Sequence, residues 1–129
     1  MSQISKSFCV LLPILNEAEH IQELLEELSK FLGGFYIRTA IIAVDDGSTD
    51  RTPMLLEEFS SQIPNLIIKT HTKNMGYGVA NRTGISEAIF QGYDYVIVMD
   101  ADFTQRISFI TRFFQPMEEG VDFIKATRY

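Results

Sequence analysis

The sequence predicts an α/β protein in which a mostly parallel sheet carries helices on both faces. Short runs rich in Val, Ile and Leu alternate with amphipathic segments of helical periodicity along the whole chain. Several of these runs are continuously apolar, which is typical of strands covered on both faces. Because parallel strands need a crossover, we expect each intervening segment to pack back onto the sheet through a right-handed connection.

The strand predictions rest on these apolar runs and on the turn residues that bound them. The first run contains Cys9, the single cysteine of the chain, so no internal disulfide is possible. We interpret Cys9 as a small buried hydrophobe rather than as a nucleophile. The five predicted strands cover residues 8–13, 39–44, 66–70, 95–100 and 122–126.

The first helix is predicted from a stripe of Ile, Leu and Phe at helical spacing, with Gln and Glu on the other face. Asn16 is the expected N-cap. Glu17 and Glu19 would then lie in the first turn, where the helix dipole favours acids. Gly33 is expected to end this helix.

The other helices have similar signals. Asp50 or Thr49 is expected to cap the second helix, which would run to about residue 61, and Pro53 is tolerated in its first turn. The fourth helix is expected over residues 107–117, from apolar residues at helical spacing.

The third helix carries small residues on one side. Ala80, Gly84 and Ala88 recur at four-residue spacing, which would let this helix approach the sheet closely. The preceding turn contains Gly76 and Gly78, but it lacks the third glycine of a dinucleotide-binding turn. We therefore interpret it as a packing turn.

Composition excludes several classes of protein. The chain has 129 residues, enough for one domain, and we treat residues 1–129 as that domain. Its net charge of −6 and its lack of a Lys and Arg cluster argue against a nucleic-acid partner. No apolar run approaches the roughly 20 residues of a transmembrane helix, and residues 1–6 lack a signal-peptide pattern. We expect a cytoplasmic location.

Acidic residues follow three of the predicted strands. Glu17 follows the first, Asp45 and Asp46 end the second, and Asp100 and Asp102 end the fourth. Because the carboxyl ends of parallel strands meet at one edge of the sheet, these carboxylates are expected to lie near one another. Oxygen donors without Cys or His suit Mg²⁺ or Mn²⁺, which often also bind a diphosphate.

Each acidic motif also has a simpler interpretation. Acids at strand ends are common caps, so Asp100-Ala101-Asp102 alone is a weak signal. The same motif fits the nucleophile of haloacid-dehalogenase-type phosphatases, in which the first Asp attacks a phosphoryl group. That family needs further residues downstream, and the 27 residues after Asp102 are too few. His20 and His71 are interpreted as a surface residue and a strand-end residue.

Six segments together resemble family 2 glycosyltransferases, most of all the dolichyl- or polyprenyl-phosphate mannose or glucose synthases. Their order and spacing extend over nearly the whole chain, which makes the resemblance much more specific than any single motif. The segments are 10–17 (VLLPILNE), 44–50 (VDDGSTD), 74–78 (NMGYG), 82–84 (RTG), 99–102 (MDAD) and 126–129 (ATRY).

The resemblance implies a GT-A fold that binds a GDP- or UDP-linked sugar with Mg²⁺ or Mn²⁺. Asp100 and Asp102 would engage the metal and the diphosphate, and Arg128 would reach the phosphates or the sugar. The family reaction is an inverting transfer to an acceptor hydroxyl or lipid phosphate, in cell envelope or glycolipid biosynthesis. The residues implied in nucleotide-sugar binding are Pro13, Leu15, Glu17, Val44, Asp46, Asp100, Ala101, Asp102 and Arg128.

The chain also departs from the family pattern. Ile14 and Leu15 stand where the family usually has a Tyr before the Asn-Glu pair. The acceptor half and the general base would lie beyond residue 129, so the chain corresponds to the donor-binding half. The alternative is a catalytically incomplete module that binds a nucleoside diphosphate. We expect an exposed sheet edge that favours self-association, and a full-length protein at the cytosolic face of a membrane.

Overall fold

The computed structural model describes residues 5–100, 110–112 and 114, and four parallel strands form a sheet within them. The strands are β1 (Phe8–Ile14), β2 (Thr39–Asp45), β3 (Leu66–Thr70) and β4 (Tyr95–Val98). Their order in the sheet is β3-β2-β1-β4, and every neighbouring pair is parallel. The chain therefore moves outward from β1 to β3 and then returns to the other side of β1.

Helices cover both faces of the sheet. They are α1 (Ile21–Leu32), α2 (Thr52–Ser60) and α3 (Tyr77–Gln91). One apolar cluster joins α1 and α2 to one face of the sheet, and a second joins α3 to the opposite face. The predicted α/β class with helices on both faces is confirmed. In the described part of the chain, no helix is long and apolar enough to span a bilayer.

The larger core lies beneath α1 and α2. The predicted apolar stripe of α1 is buried at Ile21, Leu24, Leu25, Leu28 and Leu32, and the helix ends before Gly33 as expected. These side chains pack against alternate residues of β1 and β2, because alternate side chains of a strand point to one face. Among the described residues, this face carries the larger of the two buried apolar clusters.

The smaller core lies beneath α3 and depends on small residues. Ala80, Gly84 and Ala88 are the buried positions of this helix, as the spacing predicts. A Cβ atom placed on Gly84 would overlap the side chain of Leu11 in the central strand, with the Cγ atom 2.9 Å away. The missing side chain of Gly84 therefore lets α3 lie close to β1.

One prediction about α1 is wrong. Asn16 is not its N-cap, because the helix begins at Ile21, and Glu17 and Glu19 precede it instead of lying in its first turn. Asn16 has a φ of 55°, in the left-handed region that Asn tolerates better than most residues. Its side chain bonds the loop after β2, so the sequence signal for a cap marks a turn here.

The end of the chain lies mostly outside the described residues. The predicted strand 122–126 falls there, as does most of the predicted helix 107–117. The described part of that helix includes Ile110, which is buried, and Phe114. The Phe114 ring lies 5.7 Å from that of Phe8 and 5.6 Å from that of Phe35, centroid to centroid. These contacts place Phe114 against the core beneath α1.

The close approach of α3 predicts a matched pair of glycine substitutions. Gly84→Ala should lower the free energy of unfolding by about 1–3 kcal/mol, because the fully buried Leu11 has no space to yield. Gly78→Ala in the same helix meets no atom within 4 Å, so it should leave stability unchanged or slightly raised. Urea denaturation of the three proteins measures both effects, and equal stability of the two variants would contradict this packing.

The interpretation of Cys9 predicts an inert thiol. Cys9 is fully buried, and burial raises its pKa to about 12, an effect that the charge of Arg38 only partly offsets. The native protein should therefore not react with iodoacetamide at pH 8, whereas the urea-unfolded protein should react at the rate of a free thiol. Fast labelling of the native protein would show that Cys9 is accessible and would favour the nucleophile interpretation.

Candidate functional site

The carboxyl ends of the strands enclose a crevice beside β1. The chain leaves β1 towards β2 on one side and later places β4 on the other, so the strand order reverses at β1. In open α/β sheets ligands bind at such a reversal, outside the carboxyl ends of the strands. The loops after β1, β2 and β4 therefore border the expected site.

The loops after β1 and β2 are held together by side chains. The Oδ1 atom of Asn16 accepts hydrogen bonds from the backbone N–H groups of Thr49 and Asp50, at 2.8 and 3.2 Å. In return, the Asn16 N–H donates to Oγ of Ser48 at 2.8 Å. The left-handed backbone of Asn16 thus accompanies a set of hydrogen bonds that joins the loops after β1 and β2.

Hydrogen bonds of Asp50 connect the start of α2 to the loop after β1. Asp50 accepts the N–H of Thr52 through Oδ1 at 2.8 Å and the N–H of Ala18 through Oδ2 at 3.2 Å. The prediction that Asp50 or Thr49 caps α2 is wrong, because the N-cap position is Arg51 and carries no side-chain cap bond. Asp50 lies one residue earlier and bonds both the first residue of α2 and the loop after β1. Hydrogen bonds from Thr52 hold the pKa of Asp50 below its usual value, against the opposing effect of burial.

The two acids at the end of β2 face different sides of the sheet. Asp45 is buried, its Oδ1 accepts the N–H of Ser48 at 3.0 Å, and its Oδ2 has no partner among the described residues. Asp46 lies one residue beyond the strand and contacts the segment that leads into α3. Consecutive residues of an extended chain point in opposite directions, so the predicted pair separates into a turn residue and a crevice residue.

Asp46 is held by three donors from neighbouring elements. Its Oδ1 atom accepts the N–H of Met75 and Nδ1 of His71, both at 2.8 Å, and its Oδ2 atom accepts the N–H of Gly76 at 2.9 Å. Burial alone would raise the pKa of Asp46, but these hydrogen bonds outweigh it and bring the pKa below the ordinary 3.8. Asp46 is therefore ionised at neutral pH.

The turn before α3 thus binds a carboxylate of the protein itself. Gly76 has a φ of 102°, which a residue with a side chain rarely adopts, and this conformation accompanies the turn of its N–H towards Asp46. The predicted packing turn therefore also cradles an anion. Its Gly76 N–H binds the Asp46 carboxylate in this structure.

His71 is a site residue that the sequence interpretation missed. Its Nε2 atom lies 2.9 Å from Oγ1 of Thr83 on α3, while Nδ1 meets Asp46. An ionised carboxylate only accepts hydrogen bonds, so Nδ1 carries the proton. No local pattern in the sequence indicates this contact. It follows from the pairing of β3 with β2, in which Thr70 lies opposite Asp45 and His71 therefore lies next to Asp46.

A cavity of about 320 Å³ opens between the ends of β1 and β2 and the start of α3. Three of the predicted nucleotide-sugar residues line it, namely Pro13, Leu15 and Asp46. Leu15 and Tyr77 are 40% and 47% exposed, so an apolar and an aromatic side chain are accessible at the cavity. The other lining residues are Ile14, Asn74, Gly76, Tyr77 and Ala80.

The remaining predicted residues lie elsewhere. Glu17 does not line this cavity; its Oε1 atom lies 3.3 Å from Nδ1 of His20. Val44 is fully buried beneath α3, so only its backbone could meet a ligand. Asp100 follows β4 next to the crevice and makes no hydrogen bond to another described residue. Ala101, Asp102 and Arg128 lie outside the described residues.

The described residues provide only part of the set of ligands that a metal ion needs. Asp100 offers a hard oxygen ligand of the kind that Mg²⁺ and Mn²⁺ prefer. Its predicted partner Asp102 is not among the described residues. Within residues 5–100, 110–112 and 114, no group of three or more His, Cys, Asp or Glu side chains could hold a metal ion.

The chain belongs to glycosyl transferase family 2, whose sequence profile matches residues 9–129. This match confirms the resemblance drawn from the six motifs. The dolichol-phosphate mannosyltransferase of Pyrococcus furiosus is 33% identical over 120 residues, which cover 93% of this chain and 32% of that protein. The polyprenol monophosphomannose synthase of Mycolicibacterium smegmatis is 27% identical over 121 residues, 93% of this chain and 44% of that protein. The chain thus spans less than half the length of these relatives.

Solved structures of GT-A glycosyltransferases share the fold. The mannosyltransferase PcManGT of Pyrobaculum calidifontis, solved with GDP-Man and Mn²⁺, superposes with a TM-score of 0.63 at 25% identity. The match covers 78% of this chain and 30% of that one. TarS of S. aureus, solved with UDP, superposes with a TM-score of 0.61 at 26% identity, covering 74% of this chain and 27% of that one.

The lowered pKa of Asp46 predicts a pH-dependent contribution to stability. Asp46→Asn should reduce the free energy of unfolding by about 1–3 kcal/mol at pH 7, because an amide cannot accept all three hydrogen bonds. Because the pKa of Asp46 is lower in the folded protein than its unfolded value of 3.8, its ionised carboxylate stabilises the fold at pH values above 3.8. This stabilisation is lost as the pH falls through the pKa of Asp46 in the folded protein.

Urea denaturation between pH 7 and pH 3 measures this difference. The gap between wild type and Asp46→Asn should be constant near neutral pH and should shrink below about pH 4. Glu57→Gln, at an exposed carboxyl on α2, is the control and should show little gap at any pH. A gap for Asp46→Asn that does not change with pH would contradict the ionised, hydrogen-bonded carboxylate.

Proposed function

We propose that this chain forms the donor-binding part of a glycosyltransferase that transfers a sugar from a nucleotide-sugar. The observation that carries the proposal is the ionised Asp46 carboxylate in the wall of a cavity at the carboxyl ends of β1 and β2. A buried acceptor next to apolar surface suits a nucleoside, which combines a flat ring with N–H and O–H donors. The ligands named for the related structures, UDP and GDP-Man, belong to the same chemical class.

We assign the nucleoside of the donor to the cavity and its diphosphate to the region of Asp100. Pro13 and Leu15 provide apolar surface for the nucleoside, and Asp46 accepts a hydrogen bond from it. Asp100 lies across β1 from β2, because β4 pairs with the other edge of β1. A donor bound with its base at Asp46 would direct its diphosphate towards the end of β4.

We further propose that Asp100 and Asp102 hold Mg²⁺ or Mn²⁺ at the diphosphate, with Ala101 and Arg128 contributing to the phosphates or the sugar. Bound there, the cation would offset the negative charge that develops on the leaving nucleoside diphosphate. The Mn²⁺ in the PcManGT complex supports this proposal by analogy. Glu17 and Val44 do not line the cavity, and we propose that they lie beside the nucleoside, Val44 through its backbone.

We infer the acceptor of the reaction from the names of the related proteins. The two mannosyl transferases described above are named for dolichol or polyprenol substrates. We propose a polyprenyl or dolichyl phosphate acceptor, an inverting transfer, and a cytoplasmic location at the cytosolic face of a membrane for the whole protein. We assign the general base to the acceptor half of the whole protein, beyond residue 129.

The alternative function is a binding module without catalysis. Its support is that the cavity at the carboxyl ends of β1 and β2 suits a nucleoside, and binding alone requires no more than that. A partner or a further segment would then supply the acceptor site, and self-association through an exposed sheet edge is one way to complete it. Binding of a nucleotide-sugar without transfer to a polyprenyl phosphate would favour this alternative.

Isothermal titration calorimetry with UDP and GDP, each with and without Mn²⁺, tests the donor site. At least one nucleotide should bind, and more tightly with Mn²⁺. Asp102→Asn should weaken the Mn²⁺-dependent binding at least about tenfold, since even indirect disturbance of a metal ligand has that effect.

Asp94→Asn provides the matched control. Asp94 immediately precedes β4, at the opposite end of that strand, and its carboxylate accepts hydrogen bonds from Ser7. This variant should bind nucleotide and Mn²⁺ like the wild type. Equal binding by Asp102→Asn and the wild type in Mn²⁺ would contradict the metal assignment, and no binding of either nucleotide would contradict the donor site.

A further inference from the structure

Tyr77 is an aromatic residue in the wall of the cavity. It is the first residue of α3, and it is 47% exposed. From the β1 side, the same cavity is lined by Pro13 and by Leu15, which is 40% exposed. An entering ligand would therefore meet a half-exposed aromatic ring on the α3 side and aliphatic surface on the β1 side.

The backbone next to Tyr77 is anchored at two points. The N–H of Gly76 donates to Oδ2 of Asp46 at 2.9 Å, and the C=O of Gly76 accepts the N–H of Ala80 at 3.0 Å. Ala80 is itself fully buried beneath α3. Only two side-chain torsions then remain to move the Tyr77 ring, so the ring loses little conformational entropy when a ligand packs against it.

These two kinds of surface suit a flat heterocycle. The cavity volume of about 320 Å³ is within the range of about 300–1,000 Å³ that is typical of small-molecule sites. An aromatic side chain makes its most favourable ring contacts with another π system, in an offset-stacked or edge-to-face arrangement. In a nucleotide-sugar only the base has a π face, so only the base can stack on Tyr77.

We propose that Tyr77 stacks on the base of the donor nucleotide and so determines how tightly the nucleoside is held. This inference rests on the proposed function, since it requires a nucleoside in the cavity. It adds a binding residue on α3 to those assigned at the ends of β1 and β2. Because every base has a π face, the contact contributes to the binding of uracil and guanine alike.

Calorimetric titration of the 129-residue chain with UDP and GDP in Mn²⁺ tests the inference. Tyr77→Leu should weaken the binding of the preferred nucleotide about tenfold, because it removes the ring on which the base stacks. Tyr77→Phe keeps the ring and removes only the hydroxyl, so it should bind like the wild type. The matched control is Tyr36→Leu, at a fully exposed residue in the connection before β2, and it should also bind like the wild type.

Fluorescence gives a second readout, with an aromatic ring still at residue 77. The chain contains no Trp, so Tyr77→Trp introduces its only indole. A base stacked on this indole should quench its emission in step with the calorimetric binding curve. Inorganic pyrophosphate in Mn²⁺ has no base and should leave the emission unchanged, and so should UDP or GDP added to Tyr36→Trp.

The outcomes separate this inference from the proposed function. If the wild type and Tyr77→Leu bind a nucleotide equally tightly, stacking on Tyr77 is overturned and the donor site stands. If Tyr77→Phe loses as much affinity as Tyr77→Leu, the hydroxyl makes the contact, and stacking is again overturned. Unquenched emission of nucleotide-bound Tyr77→Trp has the same consequence. If the wild type binds neither nucleotide, the donor site itself is wrong, and the role of Tyr77 is wrong with it.

Discussion

The contacts of the Asp46 carboxylate hold the candidate site together. This one side chain, at the end of β2, bonds His71 after β3 and the N–H groups of Met75 and Gly76 before α3. Strands β2 and β3 are neighbours in the sheet, and α3 covers the face opposite to α1 and α2. The Asp46 carboxylate therefore connects two strands with the segment that leads to the helix on one face. A buried ionised group is tolerated when it is paired and hydrogen-bonded, so the backbone around Asp46 must keep these positions. The shape of the cavity follows from that constraint.

A second group of contacts fixes the other wall. Asn16 and Asp50 bind the loops after β1 and β2 to each other, and Gly84 lets α3 lie against Leu11 of the central strand. The cavity is thus bounded by elements that are each held by polar contacts or close packing. A nucleoside entering it would meet surfaces that are already in place, which lowers the ordering cost of binding.

The sequence predicted the elements well because their signals are local. The apolar runs of β1 to β3 give bounds within a residue or two of the observed ones, and Gly33 correctly marks the end of α1. Asn16 was misassigned because Asn favours both helix N-caps and left-handed turns, and only tertiary contacts decide between them. The role of His71 depends on β3 lying beside β2, which local patterns do not specify. Asp45 and Asp46 differ in role because their side chains lie on opposite faces of the sheet. A shift of the strand by one residue would exchange the two faces, so the sequence pattern does not decide which acid lies at the crevice.

The acidic residues at this edge of the sheet serve two purposes, which their hydrogen bonds distinguish. Asp45 and Asp50 accept backbone N–H groups within the loops, and Asp46 accepts its hydrogen bonds in the wall of the cavity. Asp100 makes no hydrogen bond to another described residue, although it follows the strand next to the central one. An acid whose oxygens are satisfied by the protein stabilises the fold, whereas one without such partners at a ligand crevice must be solvated or bound to a cation. In the proposed function, Asp46 would recognise the nucleoside, and Asp100 would meet the charged part of the donor.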